Sequence, residues 1–288
     1  MTTKLGAYIL PGDPTWLRSS LTRYYDRLDA LVVPVPTDGL GWTGRPIPVQ
    51  ECLRIVREVD HRGLLRIVPG RWATPDAPLR ADTAQRRAAM DALTDVDWVV
   101  QLDNDEVLPD PAALLDCVPL AEELGVDAVE WPMAVLYRRM PGGKVLAVAN
   151  RDGGVHHDYP GPVLIRAGAT PVEARRVDGP FLRLVVSGDR QSLQIARPPV
   201  DGEHRRTTLR ADQAIWHNSW ARSPAVVWRK VRSSGHASRA LRRYTAVRWL
   251  PAPLLWRVTR DLHPFAEGLW PRLRPVVVPA QLLTPEDR

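Results

Sequence analysis

The sequence predicts an α/β fold, a mainly parallel sheet with helices packed on its faces. Three observations carry this reading. From residue 6 to residue 103, short apolar runs alternate with stretches whose apolar residues recur at helical spacing. The short runs are rich in Val, Ile and Leu with little polar alternation, as in strands buried on both faces. The chain has 288 residues and is 44% apolar, enough for one large domain or a domain with an appendage.

Residues 6–10, GAYIL, make the first strand. Pro11, Gly12, Asp13 and Pro14 make a turn, and Asp13 is a candidate helix cap. Trp16, Leu17, Leu21, Tyr24, Tyr25 and Leu28 give the first helix, and residues 30–36 the second strand. A Gly-bearing loop, 37–46, carries Asp38. Val49, Cys52, Leu53, Val56 and Val59 mark a second helix, 64–70 a third strand, and 82–93 a third helix. Right-handed crossovers between successive strands then place their carboxyl ends along one edge. After the fourth strand, Pro111 opens a helix whose apolar side is Leu114, Leu115, Val118 and Leu124. Residues 127–138 read as one strand, bent or held at an edge by Pro132. Residues 144–200 read as short strands and turns, and the tail from 271 as extended.

The fourth strand, Trp98 to Leu102, ends in Asp103, Asn104, Asp105 and Glu106. Three acids at the end of a buried strand repel one another and lose hydration, so they require positive charge among them. A divalent cation is the usual solution, because carboxylate oxygens are its preferred ligands. Strand carboxyl ends are also where open α/β sheets bind ligands. Asp-x-Asp after an apolar strand resembles the GT-A glycosyltransferases. The longer string WVVQLDNDE is similar to the family-two enzymes and their bacterial relatives.

That resemblance covers residues 5–110 and 214–236 and implies a GT-A, Rossmann-like domain. Asp103 and Asp105 would hold Mn²⁺ or Mg²⁺ against the diphosphate of a UDP-, GDP- or dTDP-linked sugar, which passes to an acceptor hydroxyl. Asp38 stands where the family has an acid near the nucleotide base. Arg86 or Arg87 stands on the helix that faces the donor. His217, in AIWHNSW before a basic helix with Arg-Lys and Gly-His, stands where some members place a third metal ligand. The implied division is a catalytic domain, 1–215, and a basic helical C-terminal extension, 216–288. On this reading Asp105→Asn abolishes turnover and leaves the fold intact. The general base stays open among Asp158, Asp201, Glu203 and Asp212.

Other readings compete. The acids also fit a solvated turn, Asp38 a turn residue, Arg86 a solvated helix face, and His217 an ordinary hydrogen-bonded histidine. Asp103 also fits the nucleophile of a haloacid-dehalogenase-like phosphatase, although that motif belongs on a domain's first strand. A calcium EF-hand loop fits poorly, because Val107 and Leu108 stand where it needs a ligand and a Gly. His156, His157 and Asp158 read as a loop rather than a metal site.

Lys and Arg total 39 against 33 Asp and Glu, a net charge of +6. From Arg222 to Arg260 there is no acid, and Arg interleaves with Trp228, Trp249 and Trp256. Packing on the core or a dimer contact ranks first, an anionic membrane surface second and nucleic acid last. A non-catalytic basic module that docks on membrane or nucleic acid is the broader alternative. Cys52 and Cys117 read as core thiols in a reducing cytosol. The start of the chain lacks the apolar run of a signal peptide, and no stretch has the length of a membrane span. The expected location is cytoplasmic, with peripheral contact on the inner membrane face.

Overall fold

The computed structural model describes residues 3–140, 144–233 and 238–279. Two sheets organise the chain. The larger has eight strands, in the order β14-β13-β6-β10-β4-β1-β2-β3. One half of it is β4 (Trp98–Val100), β1 (Leu5–Tyr8), β2 (Ala30–Pro36) and, at the edge, β3 (Leu65–Gly70), all mutually parallel. β6 (Ala128–Glu130), β13 (Phe181–Val186) and β14 (Glu203–Leu209) form a second parallel group. The one antiparallel strand, β10 (Pro162–Arg166), joins the two groups. The sheet is therefore mainly parallel, as the alternating pattern predicts.

Helices α1 (Leu17–Tyr24), α2 (Val49–Val59) and α3 (Pro78–Asp91) are the crossovers between β1, β2, β3 and β4. Each places an apolar stripe on the sheet: Leu17 and Leu21 from α1, Cys52, Leu53 and Val56 from α2, and Ala89 and Met90 from α3. Parallel strands joined by such crossovers point the same way. The loops after β1, β2 and β4 therefore meet at one edge.

Three local expectations are corrected. Asp13 caps no helix: its carboxylate accepts the backbone N–H of Thr15 at 2.9 Å, and Trp16 is the α1 N-cap. The helix after Pro111 is two short ones, α4 (Pro111–Asp116) and α5 (Val118–Glu123). Pro119 lacks the N–H that would continue the first into the second. The strand expected over 127–138 is also two, because the chain leaves the main sheet at Trp131-Pro132 and continues as β7 (Met133–Arg139).

β7 belongs to the second sheet, ordered β16-β8-β7-β15-β5, with β9 (His157–Asp158) paired to β7. Its other members are β5 (Glu106–Val107), β8 (Val145–Ala149), β15 (Ile215–His217) and β16 (Arg272–Val276). After the one-turn α6 (Leu193–Ala196), the C-terminal helices, α7 (Pro224–Ser233), α8 (Arg239–Tyr244) and α9 (Ala252–Leu255), pack on this sheet. Val227, Val231, Leu241, Trp249 and Ala252 share a buried cluster with Val135, Tyr137, Leu146 and Val148. Packing is thus the first use of the basic segment. The expected boundary at 215/216 falls inside β15, so the extension shares a core with what precedes it. The Gly235-His236 pair and residues 280–288 lie outside the described residues. No described helix is long and apolar enough to cross a membrane.

Candidate active-site cleft

The loops after β1, β2 and β4 enclose a cleft of about 220 Å³. Leu10 to Pro14 line one side, Gly41, Trp42 and Pro46 to Pro48 another, and Asp103, Asn104 and Asp105 the floor. Helix α7 closes it with Val226, Arg229 and Lys230. The acids reach this floor because β4 ends early and the chain turns back at once into β5. β5 then pairs with β15, which sets Glu106 opposite His217.

Every acid on the floor is met by a cation. Arg86 Nη2 stands 2.9 Å from Asp103 Oδ1, and Arg175 Nη2 stands 2.6 Å from Oδ2. Glu106 is buried and accepts both arms of Arg175, at 3.0 and 2.7 Å. Asp105 Oδ2 accepts Arg222 Nη2 at 2.6 Å and Lys230 Nζ at 2.7 Å. Arg222 also pairs with Asp13. Burial alone would raise the pKa of Asp103, but Arg175 and Arg86 outweigh it and hold the carboxyl well below the usual range. The same balance holds at Asp105, where Lys230 is the first opposing charge. Both acids are ionised inside a fixed ring of positive charge.

The supports are specific. Arg86 is buried, and its Nε donates to Asp82 at 2.7 Å. Tyr8 Oη accepts from Arg86 at 3.2 Å and donates to Gln101 at 2.7 Å. Arg175 sits in the turn between β11 (Pro171–Glu173) and β12 (Arg176–Val177). Ala174 before it has φ of 48°, a left-handed backbone that costs strain outside Gly. Its N–H is held by Thr83 Oγ1 at 2.8 Å. Gly161, at φ 139°, passes over the stem of Arg175, and a Cβ there would lie 2.8 Å from Arg175 Cγ. The hairpin and Gly161 together aim this guanidinium at two acids.

The expected site residues fall as follows. Asp103 and Asp105 reach the cleft. Arg86 lies beneath Asp103 rather than on the cleft wall. Arg87 donates to the carbonyl of Pro171 at 2.6 Å. Asp38 lies outside the cleft, exposed, with its carboxylate accepting from the backbone N–H of Leu40 at 3.0 Å. His217 Nε2 stands 3.9 Å from Asp105 Oδ2.

These residues do not fit a divalent cation in this arrangement. The oxygens expected to coordinate Mn²⁺ or Mg²⁺ are held by Arg86, Arg175, Arg222 and Lys230. Among the described residues no three His, Cys, Asp or Glu side chains gather as a metal set. A dication placed among four fixed positive charges meets repulsion rather than an open shell.

None of the candidate bases, Asp158, Asp201, Glu203 or Asp212, lines the cleft. Asp158 is bound to His156 at 3.0 Å and to Trp270 Nε1 at 2.9 Å. Glu203 is buried and paired with Arg183, Arg197 and Arg205. Asp212 pairs with Arg210 on the surface.

Sequence reasoning missed Arg175, Arg222 and Lys230 as partners of the acids. Each is remote in sequence, and only the basic bias of the late segment signalled two of them. Asn104 was also passed over. Its amide nitrogen donates to the carbonyls of Leu10 and Asp13 at 3.0 and 2.8 Å, tying the floor to the first loop. Its Oδ1 is buried with no hydrogen-bond partner among the described residues.

No protein-family model matches the chain, and no curated protein matches its sequence. Among solved structures, it is similar to 4-diphosphocytidyl-2C-methyl-D-erythritol synthase from Anaerococcus prevotii DSM 20548, with a TM-score of 0.31 and 11% identity over 58% of this chain and 71% of that one. It is also similar to glucosyl-3-phosphoglycerate synthase from Mycobacterium tuberculosis in complex with Mn²⁺, uridine diphosphate and phosphoglyceric acid, at 0.28 and 19% over 49% and 44%. Mannose-6-phosphate isomerase from Helicobacter pylori gives 0.29 and 13% over 54% and 58%.

Proposed function

We propose that the chain is a transferase that takes a sugar from a nucleoside-diphosphate sugar and gives it to an acceptor hydroxyl. One observation carries this reading: the carboxyl ends of three parallel strands open into a cleft roofed by Arg229 and Lys230 of α7. A diphosphate is the anion that such a pair of cations beside fixed backbone would take. Trp42, Pro46, Ile47 and Pro48 give the same cleft an apolar wall suited to a planar base.

In the transfer, the acceptor oxygen bonds the sugar carbon as that carbon's bond to the diphosphate breaks, the acceptor's proton passes to solvent, and negative charge grows on the leaving diphosphate. Lys230, fixed against Asp105, offsets that charge without reorganising. Asp103 and Asp105 hold the cations in place in this scheme. The metal implied by the family resemblance has no step in it.

The test is a thermal-shift screen of UDP-, GDP- and dTDP-sugars, because a ligand of the folded state raises the melting point. One donor series is expected to raise it, with the base deciding which. No shift with any nucleotide sugar, together with phosphate release from simple monoesters that is lost on Asp103→Asn, would replace this reading with the phosphatase.

A further inference from the structure

The helical run from 239 to 258 has two apolar sides. Leu241, Trp249 and Ala252 turn inward onto the second sheet. Val247, Leu250, Leu254 and Val258 turn the other way, with Leu254 86% and Val258 74% exposed. They recur three and four residues apart along the run, and all four are exposed. Single exposed apolar residues are ordinary, but an aligned row marks a contact surface. Arg242, Arg243, Arg248 and Arg257 are exposed on the same run and Arg260 just beyond it, and no acid falls between 239 and 260.

A second, separate feature adjoins the row. A cavity of about 220 Å³ is lined by Trp256, Arg257, Arg260, Arg272 and Arg274, with no carboxylate in its wall. Arg272 donates to the carbonyl of Asn150 at 3.1 Å, and Arg274 to that of Gly153 at 2.7 Å. Both guanidiniums are therefore held in position. Arg257 lies over the Trp256 ring at 4.9 Å. Four guanidiniums around one small space form a receptor for phosphate oxygens.

We propose that this face docks on an anionic lipid bilayer. The row from Val247 to Val258 enters the boundary between headgroups and acyl chains, and the surrounding arginines meet lipid phosphates. The arginine cavity takes one headgroup phosphate, with Trp256 at the level of the interface. Charge complementarity selects the bilayer: an apolar row flanked by arginines from 242 to 260, with no acid among them, suits a surface that is apolar inside and anionic outside. This inference does not depend on the donor cleft.

The test is flotation of the full chain with vesicles of phosphatidylcholine alone or mixed with phosphatidylglycerol. Binding is expected only to the mixed vesicles. Arg257→Gln with Arg260→Gln should lower it roughly 25-fold, about fivefold for each arginine lost near the surface. Leu254→Ser with Val258→Ser should also lower it, with the melting point unchanged because both side chains already face solvent. Failure to bind mixed vesicles overturns the proposal, as does equal binding by both double variants. Full displacement by inorganic phosphate would make the cavity a free-anion site instead. A dimer of the parent chain that dissolves on Leu254→Ser would make the row a contact between copies. Should the serine variant fail to fold, the glutamine variant alone decides, since its side chains are surface arginines.

Discussion

Arg222 Nη2 lies 2.6 Å from Asp105 Oδ2, across 117 positions of sequence. Asp105 is thus a neutralising partner of the late basic segment. Asp105→Ala would leave Arg222 with Asp13 alone as its acid and the half-buried Lys230 with Ser219 Oγ alone. The expected loss is about 1.5–3 kcal/mol of stability, the value of a hydrogen bond to a charged group, read as a lower urea midpoint at unchanged slope. An unchanged midpoint would show that the two cations find other partners. From sequence, Asp105→Asn is expected to keep its fold, and the same urea measurement on that variant tests it.

Lys230→Met separates binding from stability. Asp105 keeps Arg222, so the melting point should fall far less than in Asp105→Ala. Affinity for the nucleotide sugar should drop about 10- to 100-fold, the value of a hydrogen bond to a charged group. Titration calorimetry measures it, and undiminished affinity would move the diphosphate away from α7.

Chelation tests the ring of cations directly. Four protein cations already meet Asp103 and Asp105, so the thermal shift given by a nucleotide sugar should survive excess EDTA. A shift that vanishes with EDTA and returns with Mn²⁺ would show that the arginines and lysine yield their oxygens to a metal.

His157 makes a pH prediction. It is buried with neither ring nitrogen hydrogen-bonded among the described residues, and burial pulls its pKa down to about 4. The unfolded histidine protonates near 6.5, so on acidification the unfolded state takes up the proton first. Its contribution is complete above pH 6.5 and is lost as pH falls toward 4. Stability should drop by roughly 2 kcal/mol between pH 7 and 5 from this group. Urea unfolding of the parent and of His157→Leu checks this, the variant losing that part of the slope.

Trp249 tests the core shared by the second sheet and the C-terminal helices. It is buried, donates to the carbonyl of Tyr137 at 2.9 Å, and lies under Arg138 at 4.0 Å. Trp249→Ala should cost about 3–5 kcal/mol. A small cost would mean that the helices form a separable appendage.

The sequence by itself determined the central architecture. Val- and Leu-rich runs such as 30–36 and 98–100 have no stable place except a buried strand, and the helical stripes between them have no stable place except on its faces. That pattern also put Asp103 and Asp105 at a strand's carboxyl end. Local rules failed where a local choice had a distant cause. Pro132 showed a break, but only packing decided that the strand beyond it would join a second sheet. Only the tertiary structure decided what neutralises the acids. Arg175 arrives on a strained turn held by Thr83, Arg222 from the loop just before α7 and Lys230 from α7 itself, both more than a hundred residues later. Charge pairing across such distances has no periodicity to read. It depends on which surfaces the folded chain brings within a few ångströms, where burial makes an unpaired charge too costly to keep.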